Sequence, residues 1–364
     1  MSHRWAARCR RFTLGLAVAL GTGTGASAQP QAKPGAGHET ARAALHLRIV
    51  GGLADVHQYT RHEEPFWRRE VPRLTAGRVS ADITPHDRAG LRGQDMLRLM
   101  KLGVVPFGTA LLGLVSSAEP VLAAPDMAGL NPDMPTLRAH IQHLRPLIES
   151  TLRDVHGIEL LALYTYPAQV LFCREAFGGL ADLAGRRIRV SSVSQADFFE
   201  ALGARPAVIA FADVEPALRR KAVDCAVTGT MSGHTIGLPA VARFVHTLPI
   251  NWGVAVFGAN QAAWGKLPPD VQTLLRRELA GLEQAIWAES ESETGEGIRC
   301  NAAGPCAAGA PGQMTVVRAS AADEAQRLRV MRETVVPRWK QRCGPPCEGP
   351  WGKALEPLVD GTRR

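Results

Sequence analysis

The sequence lacks the short motifs that identify common hydrolases, zinc proteases and nucleotide-binding enzymes. Its 364 residues contain no G-x-S-x-G elbow, no H-E-x-x-H pair and no phosphate-binding P-loop. The run from Gly229 to Gly233 has the wrong spacing for an elbow. Cys225 beside Asp224 could be a nucleophile, but no base is identifiable for it. We therefore predict no enzyme and no cofactor, with a secreted hydrolase or lyase acting on a small acid left open as an alternative.

Aromatic residues are scarce, at 5% of the chain, and no basic stripe is interleaved with them. A nucleic-acid surface needs such a stripe, so no nucleic-acid partner is predicted. The formal net charge is +8, but residues 1–28 hold four arginines and no acidic residue, so the rest of the chain carries +4. A mild positive surplus suits small anionic molecules.

The apolar run Phe12–Leu20 is too short to cross a bilayer, which takes roughly 20 residues. It lies between an arginine-rich head and the small-residue triplet that ends at Ala28. Residues 1–28 therefore predict a cleaved signal peptide and a periplasmic protein, followed by a flexible N-terminus over residues 29–40. The Arg10-Arg11 pair leaves open whether export uses the general or the twin-arginine route.

Six of the seven cysteines follow the predicted signal peptide, and an even number in an oxidising compartment favours disulfides. Cysteines that are close in sequence could each close a small loop, and the remaining two would then pair across a domain. The pairs expected on this basis are Cys300–Cys306, Cys343–Cys347 and Cys173–Cys225. Zinc is the alternative, and only the Cys343–Cys347 spacing fits it.

His140 and His143 are the other candidate metal ligands. They lie three residues apart in a helical pattern, so both rings would share one face and could hold a metal. A solvated helix face explains the same pattern without an ion. We therefore predict no metal site.

Strand and helix patterns alternate along the chain, which is typical of an α/β fold. Strands are predicted over Leu45–Val50 and Val79–Thr84, and the alternation restarts after Asp154 with strands at Ile158–Tyr164 and Val254–Gly258. Such alternation predicts parallel sheets covered by helices on both faces. The chain length suits two lobes with a cleft between them.

The predicted boundaries follow from this alternation. Lobe I covers residues 41–162 with a return segment near 252–290, and lobe II covers 163–251. Pro268-Pro269 opens the clearest helical pattern, which continues for about five turns and can run across both lobes. Residues 291–364 form a C-terminal extension that contains cysteines.

Three features are expected in that extension. A Cys/Gly/Ala-rich loop begins at Gly295, a last helix covers Ala321–Trp339, and the tail beyond Cys343 is irregular.

One stretch is distinctive. Residues 182–190 read DLAGRRIRV, residues 200–204 read EALGA, and Phe211-Ala212-Asp213-Val214 and Ala222-Val223-Asp224 follow. This block of some fifty residues resembles the central block of the substrate-binding proteins of tripartite ATP-independent periplasmic (TRAP) transporters. A weaker resemblance extends from about Leu47 to Val271.

The resemblance implies a two-lobed solute-binding fold, a small organic carboxylate as ligand and a membrane permease driven by an ion gradient. It implies no chemistry and no ATP hydrolysis in this chain, which we expect to be a monomer. A ligand-sensing subunit that docks on a membrane receptor is the second alternative.

Arg189 is the principal candidate for binding the ligand. It lies between Ile188 and Val190 at the end of a short predicted strand, where ligands of open α/β sheets collect. Its planar guanidinium matches a carboxylate bidentately and stays charged when desolvated. From the residues alone, a surface charge is the favoured interpretation of Arg189. The family's arginine at this place binds the substrate carboxylate, so the resemblance implies that Arg189 does too.

The resemblance also places Ser192, Phe211 and Thr228 along the cleft. Thr228 stands where sialic-acid-binding members of the family have asparagine, and Gln169 stands where they have a second arginine. Without that second positive charge, a large sugar acid is not the expected ligand. Predicted strand ends add Tyr166, Trp252 and Ser116, whose polar tips suit a small ligand. We therefore expect a small monocarboxylate such as a 2-oxo, 2-hydroxy or aromatic acid. Phe211 and the other aromatics have a competing interpretation as core residues.

Overall fold

The strands fall into two separate sheets in the computed structural model, which describes residues 45–361. The predicted signal peptide and flexible N-terminus lie outside the described residues. The eleven strands are β1 (Leu45–Gly51), β2 (Val79–Pro85), β3 (Phe107–Leu111), β4 (Ile158–Tyr164), β5 (Gln169–Cys173), β6 (Arg187–Val190), β7 (Arg205–Val208), β8 (Cys225–Gly229), β9 (Phe244–His246), β10 (Ala255–Asn260) and β11 (Thr315–Val317).

Each lobe is built on one sheet. The first has the order β2-β1-β3-β10-β4 and the second the order β11-β9-β5-β8-β6-β7. The expectation of parallel sheets is only partly right, because β10 runs antiparallel to β3 and β4, and β5 runs antiparallel to β8 and β9. β5 and β10 are the strands that follow the two direct crossings of the chain between the sheets, whereas the third crossing, from β10 to β11, contains helices. A strand arriving directly from the other sheet needs no helical crossover, so it can pair antiparallel.

The two crossing segments lie side by side. Residues 165–168 lead from β4 to β5, and residues 247–254 lead from β9 to β10. They meet at an antiparallel bridge between Gln169 and Asn251. These two direct crossings therefore lie at one place, which is where the cavity described below is found.

Helices cover the sheets, and several contain a wider π-helical turn. Such turns occupy Gln58–Glu63, Phe66–Glu70, Thr151–Val155 and Met331–Val335. The α-helices are α1 (Val71–Leu74), α2 (Met96–Lys101), α3 (Leu112–Val115), α4 (Met134–Ser150), α5 (Val193–Ala201), α6 (Val214–Arg219), α7 (Thr230–Thr235), α8 (Gln261–Gly265), α9 (Pro269–Asn301), α10 (Ala321–Val330), α11 (Val336–Cys343), α12 (Pro345–Glu348) and α13 (Pro350–Gly361).

The long helix α9 packs on β4 of the first lobe and on α7 of the second, as the sequence predicts. The expected loop from Gly295 is wrong, because α9 continues to Asn301. Gly297 explains the error. A β-carbon at this position would lie 2.3 Å from the backbone nitrogen of Met231, so glycine here allows α7 to approach and does not end the helix.

The expected irregular tail is also wrong, since α12 and α13 follow Cys343. Pro345, Pro346 and Pro350 lie in the first turns of these helices, where proline is tolerated, and Pro357 lies inside α13. Trp351 and Leu355, one helical turn apart, bury their side chains in the core. Among the described residues no helix is both long and apolar enough to span a membrane.

The three expected disulfides are present. Cys173–Cys225 joins directly opposed residues of β5 and β8, while Cys300–Cys306 and Cys343–Cys347 close short loops. The zinc interpretation of the last pair is therefore wrong.

Candidate ligand-binding cleft

A cavity of about 430 Å³ lies between the two sheets. The loop after β2 and the turn into α3 line one side, and the ends of β5, β6 and β8 line the other. Asn251 and Gly253 of the crossing segment also line it. Its size is in the range of small-molecule sites.

Arg189 lines this cavity near the end of β6 and is 2% exposed. Its Nε donates to the carbonyl of Ile209 at 2.9 Å and its Nη1 to the carbonyl of Val227 at 2.7 Å. Among the described residues, Nη2 makes no hydrogen bond and no carboxylate forms an ion pair with this side chain. Burial lowers the pKa of Arg189 to about 10, so it remains cationic at neutral pH.

The sheet explains why the side chain is held in this position. β6 is parallel to both β7 and β8, so the carboxyl ends of three strands meet here. The chain continues past β7 to Ile209, which places a carbonyl beside the guanidinium on one flank, and Val227 of β8 supplies the other. The two carbonyl dipoles orient the guanidinium of Arg189 but do not neutralise its positive charge.

Five of the eight predicted ligand-binding residues line the cavity: Arg189, Gln169, Phe211, Thr228 and Tyr166. The structure places the other three outside the lining. Ser192 caps α5 by accepting from the backbone of Gln195. The indole of Trp252 is buried and donates to the carbonyl of Asn131 at 3.0 Å, and the hydroxyl of Ser116 donates to Gly113 at 2.8 Å.

Two buried polar atoms of lining residues make no hydrogen bond of ordinary geometry, the hydroxyl of Tyr166 and Nε2 of His86. Burial raises the pKa of Tyr166 well above its usual value and lowers the pKa of His86, so both are neutral at neutral pH. Tyr166 lies near the backbone of Leu53. Nδ1 of His86 faces the carbonyl of Leu91 at 3.4 Å, and donation there leaves Nε2 as an acceptor.

Sequence reasoning missed His86, although a signal was present. The residue directly follows the last residue of β2, and side chains at the carboxyl ends of strands are the ones that meet ligands in open α/β sheets.

A network of buried amide side chains orients two of the residues that line the cavity, Gln169 and Asn251. Nε2 of Gln195 donates to Gln169 at 2.9 Å and to Asn251 at 2.6 Å, while its oxygen accepts from the backbone of Ser191 at 2.7 Å. Asn251 in turn donates to Asp126 at 3.0 Å. Gln169 and Asn251 are therefore held in one orientation from behind. Gln195, which the sequence analysis did not select, is the centre of this network.

Asp126 holds the crossing segment. Its buried carboxylate accepts from the backbone amides of Trp252 at 2.9 Å, Gly253 at 2.6 Å and Val254 at 3.3 Å, as well as from Asn251. Burial raises its pKa to about 6, and the four donors oppose that rise. Gly253 has a positive φ of 89°, a conformation that favours glycine.

The candidate metal pair on α4 has a different arrangement. His140 is buried and pairs with Asn131 at 2.7 Å, whereas His143 faces the carbonyl of Ala354 at 3.1 Å. The expectation of a shared solvated face is therefore wrong for His140. α13 covers this part of α4, and its presence is not evident in the histidine spacing.

The chain belongs to the bacterial extracellular solute-binding proteins of family 7, whose DctP model matches residues 58–326. This is the family of TRAP substrate-binding proteins, which are periplasmic solute receptors and not enzymes. Among curated proteins none matches the chain.

Solved structures of this class share the fold. A Bordetella pertussis extracytoplasmic solute receptor that binds pyroglutamic acid has a TM-score of 0.76 at 20% identity, covering 88% of this chain and all of its own. A TRAP solute-binding protein from Desulfovibrio salexigens with bound orotic acid has a TM-score of 0.73 at 18% identity, covering 87% and 99%. A third, from Ralstonia eutropha with bound (S)-2-acetolactate, has a TM-score of 0.73 at 20% identity, covering 86% and 99%.

Proposed function

We propose that the protein captures a small organic monocarboxylate in the periplasm through Arg189 and delivers it unchanged to a TRAP-type membrane permease. The observation that carries this proposal is a buried guanidinium that faces a cavity and has only carbonyl partners. Removing an ion from water costs several kcal/mol, and an unpaired buried charge persists only where something else compensates it. A ligand carboxylate would do so bidentately, in a site where water is excluded.

The second half of the ligand would meet neutral polar groups. Tyr166 offers a donor, Nε2 of His86 offers an acceptor, and Gln169 and Thr228 also line the cavity. A ligand with one carboxylate and a neutral group that both donates and accepts, such as a hydroxyl or a lactam, matches this set. The three solved relatives bind small carboxylic acids of comparable size. Phe211 would pack on the carbon skeleton.

The transport cycle would rely on closure of the two lobes. The cavity draws its lining from both sheets and from the crossing segment between them, which is the arrangement of hinge-closing binding proteins. Closure over the ligand would bury the ion pair and present a surface that a permease distinguishes from the open form. Ser192, Trp252 and Ser116 would not contact the ligand directly and would instead hold neighbouring segments in place.

The test begins with a thermal-shift screen of organic acids, followed by calorimetry on wild type and Arg189→Met. Loss of the bidentate pair should weaken binding by at least about 100-fold, because breaking a buried charge pair costs about 3–5 kcal/mol. Arg187→Met is the matched control, since Arg187 lies on the same strand but pairs with Asp224 near the surface.

Circular dichroism should show both variants folded, and the ligand should be recovered unchanged after incubation. Equal affinity in wild type and Arg189→Met would refute the anchor, while consumption of the ligand would indicate an enzyme.

A further inference from the structure

A cluster of two histidines and two glutamates lies outside the cleft, where the turn Gln58–Glu63 packs against α9. Nδ1 of His57 contacts the carboxylate of Glu293, and Nε2 of His62 contacts the carboxylate of Glu289. None of the four lines the cavity. We call this group the helix-crossing cluster.

Local geometry brings each pair to one face. Glu289 and Glu293 are four residues apart on an α-helix, so their side chains are neighbours. His57 and His62 are five residues apart, a spacing that an α-helix would not align. The segment between them is π-helical, with i→i+5 hydrogen bonding, and a π-turn aligns residues at that spacing.

The distances suit a single ion. One ligand atom from each of His57, Glu289 and Glu293 lies within 4.8 Å of the others. Zinc bonds to imidazole nitrogen and carboxylate oxygen are about 2.0–2.2 Å long, so two ligands of one tetrahedral ion lie about 3.4 Å apart. Side-chain rotations would have to separate the contacting atoms of His57 and Glu293 and bring the wider pairs closer to admit the ion. His62 contacts Glu289 but is not within 4.8 Å of all three of these ligand atoms, so it would become a fourth ligand only by rotating towards the ion.

An outer layer orients both carboxylates. Gln58 donates to the second oxygen of Glu293 at 2.9 Å and also contacts the hydroxyl of Ser290 at 3.1 Å. Arg61 donates to the second oxygen of Glu289 at 2.8 Å. Each carboxylate therefore has one oxygen held from behind and the other turned towards a histidine. Partners of this kind fix first-shell ligands in metal sites.

Burial and charge agree with this arrangement. Side-chain exposure is 13% for His57, 3% for Glu293 and 17% for both His62 and Glu289, so the cluster is largely desolvated yet reachable from solvent. Two carboxylates against the one guanidinium of Arg61 leave a formal negative charge when the imidazoles are counted as neutral. A divalent cation would offset it.

We propose that the helix-crossing cluster binds one divalent transition-metal ion of the zinc class through His57, Glu289 and Glu293, with His62 as fourth ligand. The two imidazoles favour zinc over magnesium or calcium, which prefer all-oxygen sites. The ion would fasten the first helix of lobe I to α9, the helix that packs on both lobes.

The test uses the mature protein with its disulfides intact, stripped with a chelator and titrated with Zn²⁺ by calorimetry. One ion per chain should bind, and the melting temperature should rise by roughly 5 °C at 100 times the dissociation constant. Mg²⁺ at the same concentration should produce no shift. Glu289→Gln and His57→Asn should each weaken zinc binding more than about 100-fold, since each removes a ligand from the ion.

His46→Asn is the matched control. His46 also pairs with a carboxylate, Asp82, but this exposed pair offers only two ligands. If the cluster variants misfold, the visible spectrum of wild type loaded with Co²⁺ is the alternative measurement. A tetrahedral site of nitrogen and oxygen ligands gives intense visible absorption, which the proposal predicts.

Three results would overturn the proposal. The first is a wild type that binds no zinc. The second is zinc binding that survives Glu289→Gln and His57→Asn. The third is binding that appears only after reduction, because that would assign zinc to the group formed by His234, Cys300 and Cys306.

Discussion

Arg189 and Asp126 are both buried charged groups within the same fold, yet their surroundings differ. Asp126 receives four hydrogen bonds from the protein, three of them from consecutive backbone amides. Arg189 has two carbonyl partners, leaves Nη2 without a hydrogen bond among the described residues, and lines the cavity. The first charge is satisfied by its own chain, whereas the second is only oriented by it.

The difference indicates how to separate a structural charge from a binding charge. Burial alone does not do so, since both groups are nearly inaccessible. The number of hydrogen bonds that the protein leaves unmade distinguishes them. By the same criterion Tyr166 and His86 group with Arg189, and Gln195 and Asn251 group with Asp126.

The comparison predicts the largest stability loss at Asp126. Asp126→Ala leaves three backbone amides and the amide of Asn251 buried without an acceptor, so the free energy of unfolding should fall by about 3–5 kcal/mol in urea titrations. Asp126→Asn, which keeps one acceptor oxygen, is the control and should lose less. A loss below 1 kcal/mol for Asp126→Ala would mean that the crossing segment does not depend on this carboxylate.

The pH dependence of stability sharpens the same comparison. Burial raises the pKa of Asp126 in the folded protein to about 6, above the ordinary aspartate value of 3.8, so the folded state binds an extra proton between these pH values. The free energy of unfolding should therefore decrease as pH rises from about 4 to 6, by up to about 3 kcal/mol from this residue.

Subtracting the profile of Asp126→Asn, which does not titrate, isolates this contribution. A difference that grows with rising pH would show that the four donors outweigh burial and hold the pKa low.

Tyr166 should show the smallest effect, and in the opposite sense. Its hydroxyl makes no good hydrogen bond in the folded protein, so Tyr166→Phe should leave the free energy of unfolding unchanged or slightly higher. Ligand affinity should fall by about 10-fold, the worth of one hydrogen bond. Calorimetry and urea titration on the same preparation measure both. A destabilised variant with full affinity would place Tyr166 with the structural groups.

Much of the fold follows from local pattern. The strands β2 and β4 and the start of α9 at Pro269 lie where apolar periodicity and proline predict them. The end of α9 does not, because glycine at position 297 serves a contact with α7 that is distant in sequence. The antiparallel direction of β5 and β10 likewise depends on how the chain crosses between the sheets, which no local pattern reports.

The candidate site divides in the same way. Arg189, Thr228 and Phe211 belong to a contiguous block whose order is informative, so they could be selected. Asp126 and Gln195 could not. The Asn251 partner of Asp126 is 125 residues away, and the Gln169 partner of Gln195, which ties it to the cavity, is 26 residues away. The helix-crossing cluster joins residues more than 200 positions apart, which is why the spacing of histidines predicted no metal site.

Binding of the ligand's carboxylate by Arg189 is tested most directly by a double cycle that changes both groups. Once a ligand acid is known, its affinity and that of its neutral primary amide are measured by calorimetry for wild type and for Arg189→Met. Wild type should discriminate the acid from the amide by at least about 3 kcal/mol, and Arg189→Met should lose most of this discrimination. Equal discrimination by both proteins would contradict this prediction, because the carboxylate would then be bound elsewhere.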